Sequence, residues 1–172
     1  AENYWKPVVD ENYILALPQS SQIEIYDAYV WDDIDLAQRE LTKHLNNIFS
    51  YYNLDYKNII LGGFSAGARV ILRLINREDI KPKGLVLIAP WLPEINKENE
   101  LFKKIKELDI KVYIICGKKD KDCLKYCNIF VDKLKKYGVN YKYNLIKGLD
   151  HDYPKDFEKK LKNALRYIKG AN

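Results

Sequence analysis

"LGGFSAGARV", residues 61–70, sets a serine between two glycines at the end of an apolar run that begins "NIIL" at residue 58. A sharp turn from a strand into a helix gives this spacing a mechanical reason. The serine sits on the bend, and side chains at Gly63 and Gly67 would clash where the backbone of the strand meets that of the helix. Taken alone, Gly-x-Ser-x-Gly also arises by chance from common residues, so its meaning depends on what flanks it.

Downstream, "AGARVILRLINRE" (66–78) reads as a helix. The runs "GLVLIAP" (84–90), "KVYIICG" (111–117) and "YKYNLI" (141–146) read as strands. Between and after them lie the amphipathic helical patterns "NKENELFKKIKEL" (96–108), "DCLKYCNIFVDKLKKYG" (122–138) and "YPKDFEKKLKNALRYIK" (153–169). Upstream, "YILAL" (13–17) reads as a short buried strand. "DDIDLAQRELTKHLNNIFSYY" (32–52) reads as a helix, with Ile34, Leu41, Leu45, Ile48 and Phe49 near helical spacing and Asp32 or Asp33 able to cap it. Strands alternating with helices imply parallel pairing through right-handed crossovers. The expected fold is α/β, a mostly parallel twisted sheet of about five strands with helices on both faces, in one domain over residues 1–172. Its functional groups should gather at the carboxyl ends of the strands.

Composition narrows the function classes. The 47% hydrophobic and 31% charged fractions are those of an ordinary globular protein, and no apolar run approaches a membrane span. The net charge of +5 comes from 29 basic against 24 acidic residues spread along helices, which speaks against a nucleic-acid groove. Cys116, Cys123 and Cys127 are odd in number and clustered, so reduced thiols in a cytoplasmic protein are the simplest account. With two histidines in the chain, no metal site and no cofactor are expected.

A serine hydroxyl needs a base to become a nucleophile, and the base needs an acid to orient it. His44 falls inside the helix over 34–49. His151 lies in "KGLDHDYPKD", a loop between the last strand and the last helix, where it can face the same sheet edge as Ser65. For the acid, "YIICGKKDKDC" offers Asp120 and Asp122, and Asp122 is also placed to cap the helix that follows; Asp150 and Asp152 flank the histidine too closely to reach its Nδ1 well. Ala66, first residue after the bend, supplies a backbone N–H for an oxyanion. Trp31, Trp91 and Leu92 lie at strand ends or in loops on the same face and are candidates to line an acyl pocket.

The chain resembles an α/β-hydrolase, and within that group the phospholipase/carboxylesterase family of small esterases and acyl-thioesterases. The resemblance spans essentially the whole chain and rests on Pro18 with "YVWDD", the elbow "GGFSAGA", "LIAPWLP", the Gly-x-x-Asp loop "CGKKDKDC" and "GLDHDYP". It implies a three-layer sandwich, and it makes Ser65 the nucleophile, Asp120 the acid and His151 the base, in the chain order of that fold. The implied activity is hydrolysis of small carboxylic esters or thioesters without a cofactor. The same triad order also occurs in peptidases of the prolyl-oligopeptidase type, and a hydrolase-like fold can serve as a binding module. Members of the family carry a further strand and a His-Gly loop whose N–H completes the oxyanion hole. Residues 1–30 do not match it, and "AENYWKPVV" reads as the tail of a helix, so this segment is expected to precede Ala1.

Overall fold

The computed structural model describes residues 2–25, 28–77 and 80–170. Its centre is a parallel sheet of four strands in sequential order: β3 (Ile60–Phe64), β4 (Gly84–Ile88), β5 (Lys111–Gly117) and β6 (Tyr141–Ile146). Each connection is a helix: α3 (Ala66–Asn76), α4 (Asn99–Glu107) and α5 (Lys121–Lys136). The first strands of the chain, β1 (Ile23–Ile25) and β2 (Ala28–Tyr29), form a separate antiparallel ribbon. Ahead of it lies a short helix α1 (Glu2–Trp5) that runs into a 3-10 turn at Lys6–Glu11; after it comes α2 (Ile34–Tyr51), and α6 (Phe157–Lys169) closes the chain.

The strands are apolar on both faces because both are covered, as a parallel sheet requires. Leu85, Leu87, Val112, Ile114 and Cys116 point to one side, where they pack with Ile71 and Ile75 of α3, Phe102 of α4 and Phe130 of α5. Their neighbours Val86, Ile88, Tyr113 and Ile115 point to the other side, against Leu161, Leu165 and Ile168 of α6 and against Trp5 and Val8. Each large side chain buried this way contributes about 1.5–3 kcal/mol relative to exposure. The expected three-layer α/β architecture is therefore present.

Three expectations change. Tyr13–Leu17 is not a strand, so the sheet has four strands where about five were expected. Tyr13 and Leu15 rest on the second apolar cluster while Ile14 and Leu17 stay exposed. Leu17, which strand alternation would set on the same face as Tyr13 and Leu15, is exposed, and the segment has no ladder partner among the described residues. The helix start at residue 121 is capped by Asp120 rather than Asp122: the Asp120 carboxylate accepts from the Cys123 N–H at 3.0 Å. The helix after Ser65 ends at Asn76, two residues before the expected Glu78, which lies outside the described residues, as does Ala1. Of the two possible caps for α2, Asp33 serves, its carboxylate accepting from the Leu36 N–H at 2.9 Å.

Candidate active site

Ser65 stands between β3 and α3, at the helix's N-cap, with φ 52° and ψ −121°, a conformation an L-residue adopts only when its surroundings force it. The forcing contacts are local. Ser65 donates its N–H to Ile88 O at 2.9 Å and its carbonyl accepts from the Trp91 N–H at 3.2 Å, which ties the bend to the end of β4. A Cβ on Gly63 would stand 2.8 Å from the Gly67 carbonyl carbon and 2.9 Å from the Ala68 nitrogen, so the first glycine is needed for strand and helix to approach. At Gly67 the expectation fails: a Cβ there meets nothing within 4 Å, because it projects into open space.

The structure brings Ser65, His151 and Asp120 together from three strand ends. His151 Nε2 lies 3.0 Å from Ser65 Oγ, and His151 Nδ1 lies 2.7 Å from Asp120 Oδ2. Both are hydrogen-bond distances. The Asp120 side chain is 3% exposed and that of His151 41% exposed, so a buried carboxylate anchors an imidazole whose far edge meets solvent. Asp120 is held from both sides, since its Oδ1 is the oxygen that caps α5. The positive end of that helix also favours a charge there.

The loop geometry around this pair depends on Gly117. A Cβ at that position would stand 2.4 Å from Leu149 O and 2.6 Å from Asp150 O. The start of the acid loop therefore lies directly on the backbone that carries His151, and the Lys119 N–H donates to Leu149 O at 2.9 Å across the same contact. Aromatic rings support the imidazole from below. Phe64 is 4.8 Å from the His151 ring and stacks on Tyr153 at 4.9 Å. Tyr153 in turn stacks on Tyr4 at 4.0 Å and accepts from the Trp5 indole N–H at 3.1 Å.

Sequence reasoning passed over Phe64, Tyr153 and Cys123. The buried Cys123 thiol lies 3.6 Å from His151 Nδ1. Burial, then the neighbouring Asp120 carboxylate, push this thiol up to about 12. Asp120, Cys123 and His151 offer one ligand atom each, all within 4.8 Å of one another, although their spacing in sequence gave no metal signature. His44, set aside as a base, lies within α2.

The remaining expected residues are placed as follows. Ala66 opens α3, so its N–H is among the helix's unpaired donors at the bend. Trp91 is half-buried beside the bend, with the Arg69 guanidinium 5.5 Å above its ring. Leu92 is packed in the first apolar cluster. It also lines a cavity of about 370 Å³ beside α3 with Asp32, Arg69, Leu72, Glu94 and Ile95. Arg69 and Glu94 cross this cavity as a two-pronged ion pair with contacts of 2.8 and 3.2 Å. Ser65, Asp120 and His151 are not among its lining residues. Trp31 is half-buried in the loop ahead of α2, next to the cavity-lining Asp32. Among the described residues no helix is long and apolar enough to cross a membrane.

Comparisons with known proteins agree with this fold. An uncharacterized protein from Bacillus cereus ATCC 10987 superposes with a TM-score of 0.95 at 43% identity, over 99% of this chain and 55% of that one. The chain thus spans little more than half the length of that relative. The Bacillus cereus carboxylesterase matches with a TM-score of 0.60 at 20% identity, over 90% of this chain and 74% of its own. Zea mays acyl-protein thioesterase 2 matches with a TM-score of 0.57 at 19% identity, over 87% and 70%. At such identities these two establish the shared α/β-hydrolase fold. No curated protein sequence matches significantly. The model of the family described as steryl acetyl hydrolase matches residues 12–162. With that match over most of its length and an α/β-hydrolase fold around it, the chain belongs to the steryl acetyl hydrolase family.

Proposed function

We propose that this chain is the catalytic part of a serine hydrolase that cleaves carboxylic esters through an acyl-enzyme on Ser65. The observation that carries the reading is the 3.0 Å approach of His151 Nε2 to Ser65 Oγ, on an elbow whose serine has φ 52°. Nε2 takes the hydroxyl proton as Oγ attacks the acyl carbon. Asp120, accepting from Nδ1, holds the tautomer that leaves Nε2 free and stabilises the imidazolium that forms. His151 then protonates the leaving alkoxide or thiolate, and water repeats the sequence to release the acid. The Ala66 N–H at the start of α3 faces the oxyanion, where one such donor is worth about 10²–10³ in rate.

The family's description makes acetyl esters the first substrates to test, with thioesters beside them. Trp91, next to the elbow, Leu92 on the neighbouring cavity and Trp31, which precedes the cavity-lining Asp32, are the proposed walls of the substrate site. The proposed chemistry uses no metal or cofactor, its partners are small ester or thioester substrates, and its compartment is the cytoplasm. Turnover of p-nitrophenyl acetate and of an acetyl thioester is the test. Ser65→Ala should lower kcat by about 10⁴-fold or more with an unchanged circular-dichroism spectrum. A folded Ser65→Ala protein that keeps its activity would remove Ser65 from the reaction.

A further inference from the structure

We propose that Asp120, Cys123 and His151 form an inhibitory site for a thiophilic divalent cation of the zinc type, built on the same imidazole nitrogen that Asp120 orients. The three donors are the carboxylate, thiolate and imidazole that zinc takes in tetrahedral sites. Their ligand atoms all lie within 4.8 Å of one another. Bond lengths of about 2.3 Å to sulfur and about 2.0 Å to nitrogen or oxygen put tetrahedral neighbours about 3.3–3.5 Å apart. The sulfur to Nδ1 distance of 3.6 Å already fits. The Nδ1 to Oδ2 distance is 2.7 Å, a hydrogen bond, and opens by about 0.6 Å when a cation replaces the proton between them.

The site is also supported from behind. The Cys123 N–H holds Asp120 Oδ1 at 3.0 Å, which aims the other carboxylate oxygen at the shared space. His151 is the exposed member of the set, so the cation enters by a small outward swing of its ring, and water completes the fourth position. A thiolate in the set selects zinc, cadmium or cobalt over magnesium and calcium, which take oxygen ligands.

Binding changes the protonation of the site in a definite way. The cation takes the Nδ1 lone pair, and the imidazole proton moves from Nδ1 to Nε2. The Cys123 thiol proton leaves to water. His151 then presents an N–H to Ser65 and has no lone pair with which to accept the hydroxyl proton. The two charges of the cation are balanced by Asp120 and the Cys123 thiolate. The inhibition rests on Ser65 being the nucleophile, whereas cation binding does not.

Two readouts separate these claims. Cobalt titrated into the EDTA-stripped protein should give a near-ultraviolet thiolate-to-cobalt band, lost in Cys123→Ser and in Cys123→Ala and kept in Cys127→Ala. In parallel, the rate of fluorophosphonate labelling in saturating zinc is divided by the rate in EDTA for each protein. That ratio should be about 10⁻² in the wild type and near unity in a Cys123 variant that retains its circular-dichroism spectrum, and magnesium in place of zinc should leave it near unity. Absence of the band, or its persistence in both Cys123 variants, overturns the site. A band with no change in labelling overturns the inhibition. A wild type that remains unlabelled in EDTA overturns the hydrolase reading instead, and the cobalt band still decides the site.

Discussion

Replacing Gly117 by alanine should uncouple His151 from Asp120 without touching either side chain. The new methyl would stand 2.4 Å from Leu149 O and 2.6 Å from Asp150 O. A carbon tolerates a carbonyl oxygen at about 3.3 Å, so the loop carrying His151 must retreat by about 0.9 Å. The Nδ1 to Oδ2 contact, 2.7 Å in the structure, has no slack of that size. Displaced along the contact, it would pass about 3.5 Å and cease to be a hydrogen bond. A misplacement of about 1 Å in a reacting constellation lowers kcat by about 10²-fold, and forcing a methyl into close packing destabilises by about 1–3 kcal/mol. The assay is kcat on p-nitrophenyl acetate beside a thermal melt. The expected result is a large fall in kcat at a temperature where the variant is still folded. A Gly117→Ala protein with wild-type kcat would show that the two loops do not set the His151–Asp120 geometry.

Three further predictions test the surrounding structure. Gly63→Ala should destabilise by about 1–3 kcal/mol because its methyl meets the α3 backbone, whereas Gly67→Ala, which meets nothing, should leave the melting temperature nearly unchanged; equal effects would contradict the elbow geometry. Trp5→Ala should cost about 3–5 kcal/mol in denaturant unfolding, since the indole is buried, packs edge-on against Phe157 at 5.5 Å and donates to Tyr153; a loss below 1 kcal/mol would place the first helix outside the cooperative unit. Burial raises the Tyr113 phenol above its ordinary value of 10.0. A raised folded-state pKa adds stability that is complete below that ordinary value and declines as pH rises through the folded one, so wild type should weaken above pH 10 more steeply than Tyr113→Phe in pH-dependent denaturation.

Much of the site was legible because its determinants are local. The bend is encoded at Gly63 and Ser65, with Gly67 not needed for it, and His151 was nearly forced by there being two histidines, one of them inside α2. The choice of Asp120 over Asp122 was not local. Spacing left both open until the resemblance favoured one, and the structure places Asp120 against Nδ1 and on the helix cap at once.

What the sequence hid depends on partners far along the chain. Tyr13–Leu17 is an apolar run of strand length, yet pairing is a property of a neighbour, and no strand pairs with it among the described residues. The Trp5–Tyr153 hydrogen bond joins residues 148 positions apart, so nothing in either segment announces the aromatic stack beneath His151. Cys123 reads in sequence as one of three clustered reduced thiols, and only the fold sets it 3.6 Å from an imidazole 28 positions away.

The central claim, that Ser65 is an activated nucleophile, is tested most directly by the intact mass of the folded protein before and after a fluorophosphonate, with the labelled peptide mapped. The account predicts a single adduct, on Ser65, that is lost in His151→Ala. A folded wild-type protein that gains no mass, or an adduct on any other residue, would contradict it.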